Sequence, residues 1–154
     1  MSVNQPSAMY ATDGVLPDGV LEEVEPGTNL LVSGPSMTGK HALALQLLAR
    51  GASDGEGSMV VSTREPAGTI CEEYEGMTGD PSHPYWVIDA VGSGESADRS
   101  NVRTISSPGD LTGIGIEFSE CAGQAADSGV NELRVGLDSL SPLLMYSDLQ
   151  RAFR

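Results

Sequence analysis

Lysine is almost missing from this sequence. Lys40 is the only one in 154 residues, and the other seven bases are arginines. The 22 acidic residues outnumber the 8 basic ones, for a formal net charge of -14. That balance argues against free-standing binding to nucleic acid or to an anionic membrane, because both depend on clustered Lys and Arg. No apolar run approaches the ~20 residues of a membrane-spanning helix. Met1 to Tyr10 has neither the basic start nor the apolar core of a secretory leader, which predicts a cytoplasmic chain. The two cysteines, Cys71 and Cys121, lie far apart and form no C-x-x-C, so neither a zinc site nor a disulfide framework is expected. His41 and His83 are too few for a histidine metal site. Aromatic residues are scarce as well, at 5%, yet 154 residues suffice for one domain. A chain of this length buries roughly two thirds of its unfolded surface.

The acid surplus with so little lysine is similar to the composition of proteins from salt-loving microbes. In molar salt, charge repulsion is screened to ~3 Å, so a large net charge costs little stability and favours solubility.

The hydrophobic pattern predicts alternating strands and helices. Residues 1–20 are polar, contain Gly and Pro, and read as a flexible arm; residues 21–154 read as one domain. Asn29-Leu30-Leu31-Val32-Ser33 is a short apolar run after Gly27 and is expected to form a buried strand. His41 to Arg50 is rich in helix formers and stops at Gly51. Further strands are expected at 58–62, 85–89 and 133–138, with helices at 67–76, 110–127 and 142–154. Residues 92–100 read as loop. This alternation predicts an α/β fold, with a mainly parallel sheet flanked by helices. Tyr85, Trp86 and Cys71 are read as core residues.

Gly34-Pro35-Ser36-Met37-Thr38-Gly39-Lys40 stands between the first expected strand and the first helix and fits G-x-x-x-x-G-K. Glycines let the backbone curl so that its N–H groups converge on a phosphate. The helix N-terminus adds partial positive charge, and Lys40 would reach the terminal phosphates. The bland alternative is a glycine turn that only starts a helix. The next position of the pattern calls for Ser or Thr, whose hydroxyl binds Mg²⁺, and here it is His41. Imidazole suits Mg²⁺ poorly, since that ion prefers oxygen in a tight octahedron. His41 either contacts phosphate or is a tolerated first-turn residue.

Three segments together carry a resemblance: Leu31 to Lys40, Val60-Val61-Ser62-Thr63-Arg64-Glu65-Pro66, and Leu137-Asp138-Ser139-Leu140-Ser141-Pro142. Ser107 to Ile116 adds to it. The sequence from about Val20 to Arg154 resembles the KaiC-like group of RecA-superfamily P-loop ATPases in its archaeal form. That resemblance implies a three-layer P-loop core binding ATP with Mg²⁺, and often a ring or filament. It implies that Gly34 to His41 hold the nucleotide, that Asp138 supports Mg²⁺, and that Glu65 is the base that activates water. The group's Glu-Glu pair appears here as Arg64-Glu65, and pairing with Arg64 would lower the basicity of Glu65. Glu65 also reads simply as a charged loop residue, and Asp138 as a turn or helix-cap aspartate. The chain stops one helix after Asp138, so the core is expected to be incomplete at its C-terminus, with an exposed sheet edge and an apolar stripe of Leu143, Leu144, Met145, Leu149 and Phe153.

The function expected from these features is that of a degenerate nucleotide-binding module with weak or no hydrolysis, working in regulation or signalling through a protein partner or its own oligomer. The alternative is an active Mg²⁺-dependent ATPase of the same group, completed by oligomerisation. A DNA recombination or repair accessory is a third reading, opposed by the charge.

Overall fold

The computed structural model describes residues 9–92 and 98–146. The expected extension of the last helix through Leu149 and Phe153, and the middle of the 92–100 loop, lie outside the described residues. Strands β1 (Tyr10–Ala11) and β2 (Glu23–Val24) make a small antiparallel hairpin ahead of the main body. The main sheet contains β3 (Gly57–Ser62), β4 (Tyr85–Asp89), β5 (Val102–Thr104) and β6 (Leu133–Leu137), all parallel, in the order β5-β4-β3-β6. Four helices accompany it: α1 (Lys40–Arg50), α2 (Ala67–Thr78), α3 (Leu111–Asp127) and α4 (Ser141–Tyr146).

The two central strands are buried on both faces, as a parallel sheet between helices requires. On one face Val60, Tyr85 and Val87 pack with Leu45 and Leu48 of α1 and with Ala67, Ile70, Cys71 and Tyr74 of α2. On the other, Met59, Val61, Trp86 and Ile88 pack with Cys121 and Ala125 of α3. Successive residues of β3 and β4 therefore serve opposite cores, which is the period of two expected of a strand. Tyr85, Trp86 and Cys71 are core residues, as the sequence suggests.

Two polar arrangements hold α1 against the sheet. The Tyr74 hydroxyl lies 2.7 Å from Ser58 Oγ, and that hydroxyl is 3.2 Å from the Leu48 carbonyl. Arg134, a charge inside an apolar strand, forms an ion pair with the buried carboxylate of Glu56. It also donates from Nη1 to the Leu47 carbonyl at 2.7 Å. Gly136 permits the close packing: a Cβ there would sit 2.7 Å from Leu48 Cδ1. The last turn of α1 thus lies near the start of β3, and its first turn points toward the carboxyl ends of the strands.

The expected strand at Asn29–Ser33 is not formed. Leu30 and Leu31 are 46% and 76% exposed, and among the described residues no backbone hydrogen bond involves Asn29 to Ser33. The apolar run is real, but no neighbouring strand accepts it, and burial of an apolar run depends on a partner. The sheet instead ends at β6. Gly57 N–H donates to the Glu132 carbonyl and Asp138 N–H to the Val61 carbonyl. Even-numbered residues therefore face β3, and the N–H and C=O groups of Leu133, Val135 and Leu137 line the outer edge. Among the described residues, no strand pairs with this outer edge of β6.

Candidate functional site

Three loops meet the carboxyl ends of the strands, the end where ligand sites collect in open α/β sheets. The first is Gly34 to Gly39. Gly39 sits at φ 82° and delivers the chain into α1. Met37 also adopts the left-handed region, at φ 59°, and is fully exposed at the tip. The Thr38 hydroxyl donates to the Pro35 carbonyl at 2.8 Å, which tightens the turn. Lys40 folds back into the loop, donating to the Gly34 carbonyl at 2.9 Å and to the Pro35 carbonyl.

The start of α1 differs from that of its neighbours. The first turn of any helix presents N–H groups without intrahelical partners. In α2 the buried carboxylate of Asp89 accepts from Ala67 N–H at 2.9 Å. In α3 the Asp110 carboxylate accepts from Gly113 N–H at 2.8 Å. In α1 no side chain caps the N-terminus and no acidic residue lies in the first turn. Its partial positive charge stands open beside the one lysine of the chain.

The second loop follows β3 and the third follows β6, and Asp138 joins them. Its Oδ1 accepts from Thr63 N–H at 2.7 Å, and its Oδ2 from Arg64 N–H at 3.1 Å and Glu65 N–H at 3.3 Å. The hydroxyls of Ser62 and Thr63 each lie 2.9 Å from this carboxylate and also reach the carbonyls of Glu65 and Ser139. Successive backbone N–H groups converging on an anion form a nest, and here the occupant is a side chain of the protein itself.

His41 is also committed. Its Nε2 lies 2.6 Å from Glu73 Oε2 on α2, so the imidazole ties the two helices together. Glu65 is half-buried, and among the described residues its carboxylate has no hydrogen-bond or ion-pair partner. Arg64 is exposed and does not pair with Glu65. The folded chain thus brings Glu65 and Asp138 together through the β3–α2 loop, and sets Lys40, His41 and the glycine loop at the start of α1.

The residues at positions 41 and 138 do not fit Mg²⁺. Position 41 offers an imidazole already paired with a carboxylate. A carboxylate has about four lone-pair positions, and those of Asp138 face donors. Sequence reasoning missed the nest. Its signal was the pair of hydroxyl residues, Ser62 and Thr63, at the end of a strand with an aspartate ending the neighbouring strand. It also missed the Glu56–Arg134 pair, signalled by a lone arginine inside Leu133–Leu137.

Away from this end, an open groove is lined by His83, Tyr85, Trp86, Arg99, Asn101 and Arg103 at the amino ends of β4 and β5. Arg99 is paired with Glu75, and Arg103 lies 3.5 Å from Glu117. Burial holds the His83 imidazole below its ordinary pKa. No helix among the described residues is long and apolar enough to cross a membrane.

No curated protein and no solved structure matches this chain. A family model does match, over residues 27–154, a span that starts just before the exposed apolar run and includes all three loops. The chain belongs to this family, the family of unknown function DUF7504.

Proposed function

We propose that this chain is a nucleotide-binding module, taking the phosphates of ATP at Gly34 to Lys40, with weak or no hydrolysis and a regulatory or signalling role. The observation that supports this most is the uncapped start of α1 beside the inward-turned Lys40. Backbone N–H groups at the start of a helix, a curled glycine loop and one ammonium make a phosphate cradle that needs no other positive residue. An incoming phosphate would take over Lys40 from the Gly34 and Pro35 carbonyls. It would also provide acceptors for the free N–H groups of the first turn.

Weak turnover follows from the same geometry. Phosphoryl transfer is mostly positioning and charge stabilisation. Asp138 is engaged in holding the β3–α2 loop and His41 is engaged with Glu73, so neither serves the reacting phosphate. One observation favours the second reading, an active ATPase: the Glu65 carboxylate is free to orient water at the correct end of the sheet. Interaction with a protein partner or with further copies of the chain would then supply what the single chain lacks.

Calorimetry of wild type and Lys40→Ala with ATP in molar KCl tests the proposal. The expected result is binding in the micromolar range that is weakened at least about tenfold, or ~1.4 kcal/mol, in the variant. No heat from folded wild-type protein at high concentration contradicts it.

A further inference from the structure

We infer that the phosphate ligand of this loop binds as the free anion, without a divalent cation. The inference rests on the nucleotide-binding reading above and concerns what enters that site.

A divalent cation beside a phosphate is held by a small number of protein oxygens, with waters completing an octahedron. At the two positions where the P-loop pattern places its metal oxygens, 41 and 138, this chain offers none that is uncommitted. The residue after Lys40 is His41, whose imidazole is bonded to Glu73 at 2.6 Å and has no oxygen to give. The Asp138 carboxylate accepts three backbone N–H groups at 2.7 to 3.3 Å. Drawing it toward a metal would strip the partners from Thr63, Arg64 and Glu65 and release the β3–α2 loop. Orphaned N–H groups are costly, so the protein holds its aspartate and leaves the metal in water.

The positive charge at the site comes from the protein instead. Lys40 and the open start of α1 face the ligand. The β3–α2 loop, also at the carboxyl ends of the strands, carries Arg64, exposed and without an ion pair among the described residues. These groups suit a polyphosphate anion that arrives without its metal, and they give Mg²⁺ nothing to bind. In solution, Mg²⁺ in excess captures free ATP and so competes with such a site.

The test is calorimetry in molar KCl with ATP and with inorganic pyrophosphate, each titrated in EDTA and in excess Mg²⁺, on wild type and Lys40→Ala. The inference predicts binding in EDTA that depends on Lys40, and an affinity in Mg²⁺ that is equal or lower. Binding at least about tenfold tighter in Mg²⁺ than in EDTA, a gain of ~1.4 kcal/mol, overturns the inference while leaving the nucleotide-binding reading intact. No Lys40-dependent heat in either buffer overturns both. Manganese provides a second readout: with ATP bound, Mn²⁺ should leave the amide signals of Thr63 and His41 unbroadened at concentrations that broaden the ligand. Selective broadening of those two amides contradicts the inference.

Discussion

The starts of α1 and α2 are both built at the carboxyl ends of the same sheet, yet they are finished differently. At α2 the buried Asp89 reaches across from β4 and accepts from Ala67 and Val91 N–H groups, each at 2.9 Å. At α1 there is no cap, no acidic residue in the first turn, and a glycine loop with a lysine folded into it. In a chain with 22 acidic residues, the start of α1 has no aspartate cap of the kind that closes α2 and α3. A closed start serves stability, since its N–H groups are satisfied within the fold. An open start leaves donors and partial positive charge for an anion. The same contrast separates the two surrounding regions: β3 and β4 are buried, with Ala67, Ile70, Cys71 and Tyr74 of α2 packed on them, whereas Asn29 to Gly39 are largely exposed and nearly free of backbone hydrogen bonds.

This contrast is broken most severely by removing the carboxylate that closes the β3–α2 loop. Asp138→Ala should cost about 3 kcal/mol in urea unfolding, because the part-buried N–H groups of Thr63 and Glu65 and two part-buried hydroxyls lose their acceptor at once. A loss under about 0.5 kcal/mol, the scale of an ordinary surface change, would show that the nest is not what holds this end together. Asp89→Ala should cost about 2 kcal/mol by opening the start of α2. It should leave phosphate binding at α1 unchanged, as seen by calorimetry on protein verified as folded.

The amino end of the sheet provides a control with a different signature. His83 is buried, and its folded pKa lies below the ordinary value. Below pH ~6.5 the unfolded chain binds a proton that the folded chain refuses, so stability falls as pH drops from there toward the folded value. The slope from this group is at most about 1.4 kcal/mol per pH unit. Thermal melts between neutral pH and pH ~5 should show this acid loss in wild type, with a shallower fall in His83→Gln. An equal fall in both would assign the effect to other groups.

The smallest expected stability change sharpens the comparison most. Thr38→Asp places a carboxylate beside the open start of α1, which should raise stability by about 0.3 to 1 kcal/mol through the helix dipole. The same change should abolish phosphate binding by occupying the donors and repelling the anion. A variant that keeps wild-type affinity in calorimetry would place the phosphate elsewhere.

The central layers were legible in the sequence because their residues obey simple periods. Met59-Val60-Val61 and Trp86-Val87-Ile88 are short apolar runs with turn residues on both sides, and the helix formers after Lys40 end at Gly51. The glycine loop was legible as well, since Gly39 and Lys40 mark it directly. Three things were not. Leu30-Leu31-Val32 has strand composition, but a strand also needs a neighbour, and composition says nothing about whether one is present. β5 has only three residues, Val102 to Thr104, too short to show a period. The role of Asp138 depends on a contact with residues 73 to 76 positions earlier in the chain. An aspartate at a strand end reads the same whether it faces a metal or the backbone, and only the fold distinguishes the two.

Amide hydrogen exchange with and without ATP, on wild type and Lys40→Ala in EDTA and molar KCl, addresses the open-start claim most directly. Without ligand, Asn29 to Met37 should exchange at nearly unprotected rates, while Met59 to Val61 and Val87 to Ile88 exchange only through global unfolding. ATP should then slow exchange in Gly34 to Ala42 of wild type and leave Lys40→Ala unchanged. Exchange in that segment that ATP does not alter, or slows equally in both proteins, would contradict a phosphate site at the start of α1.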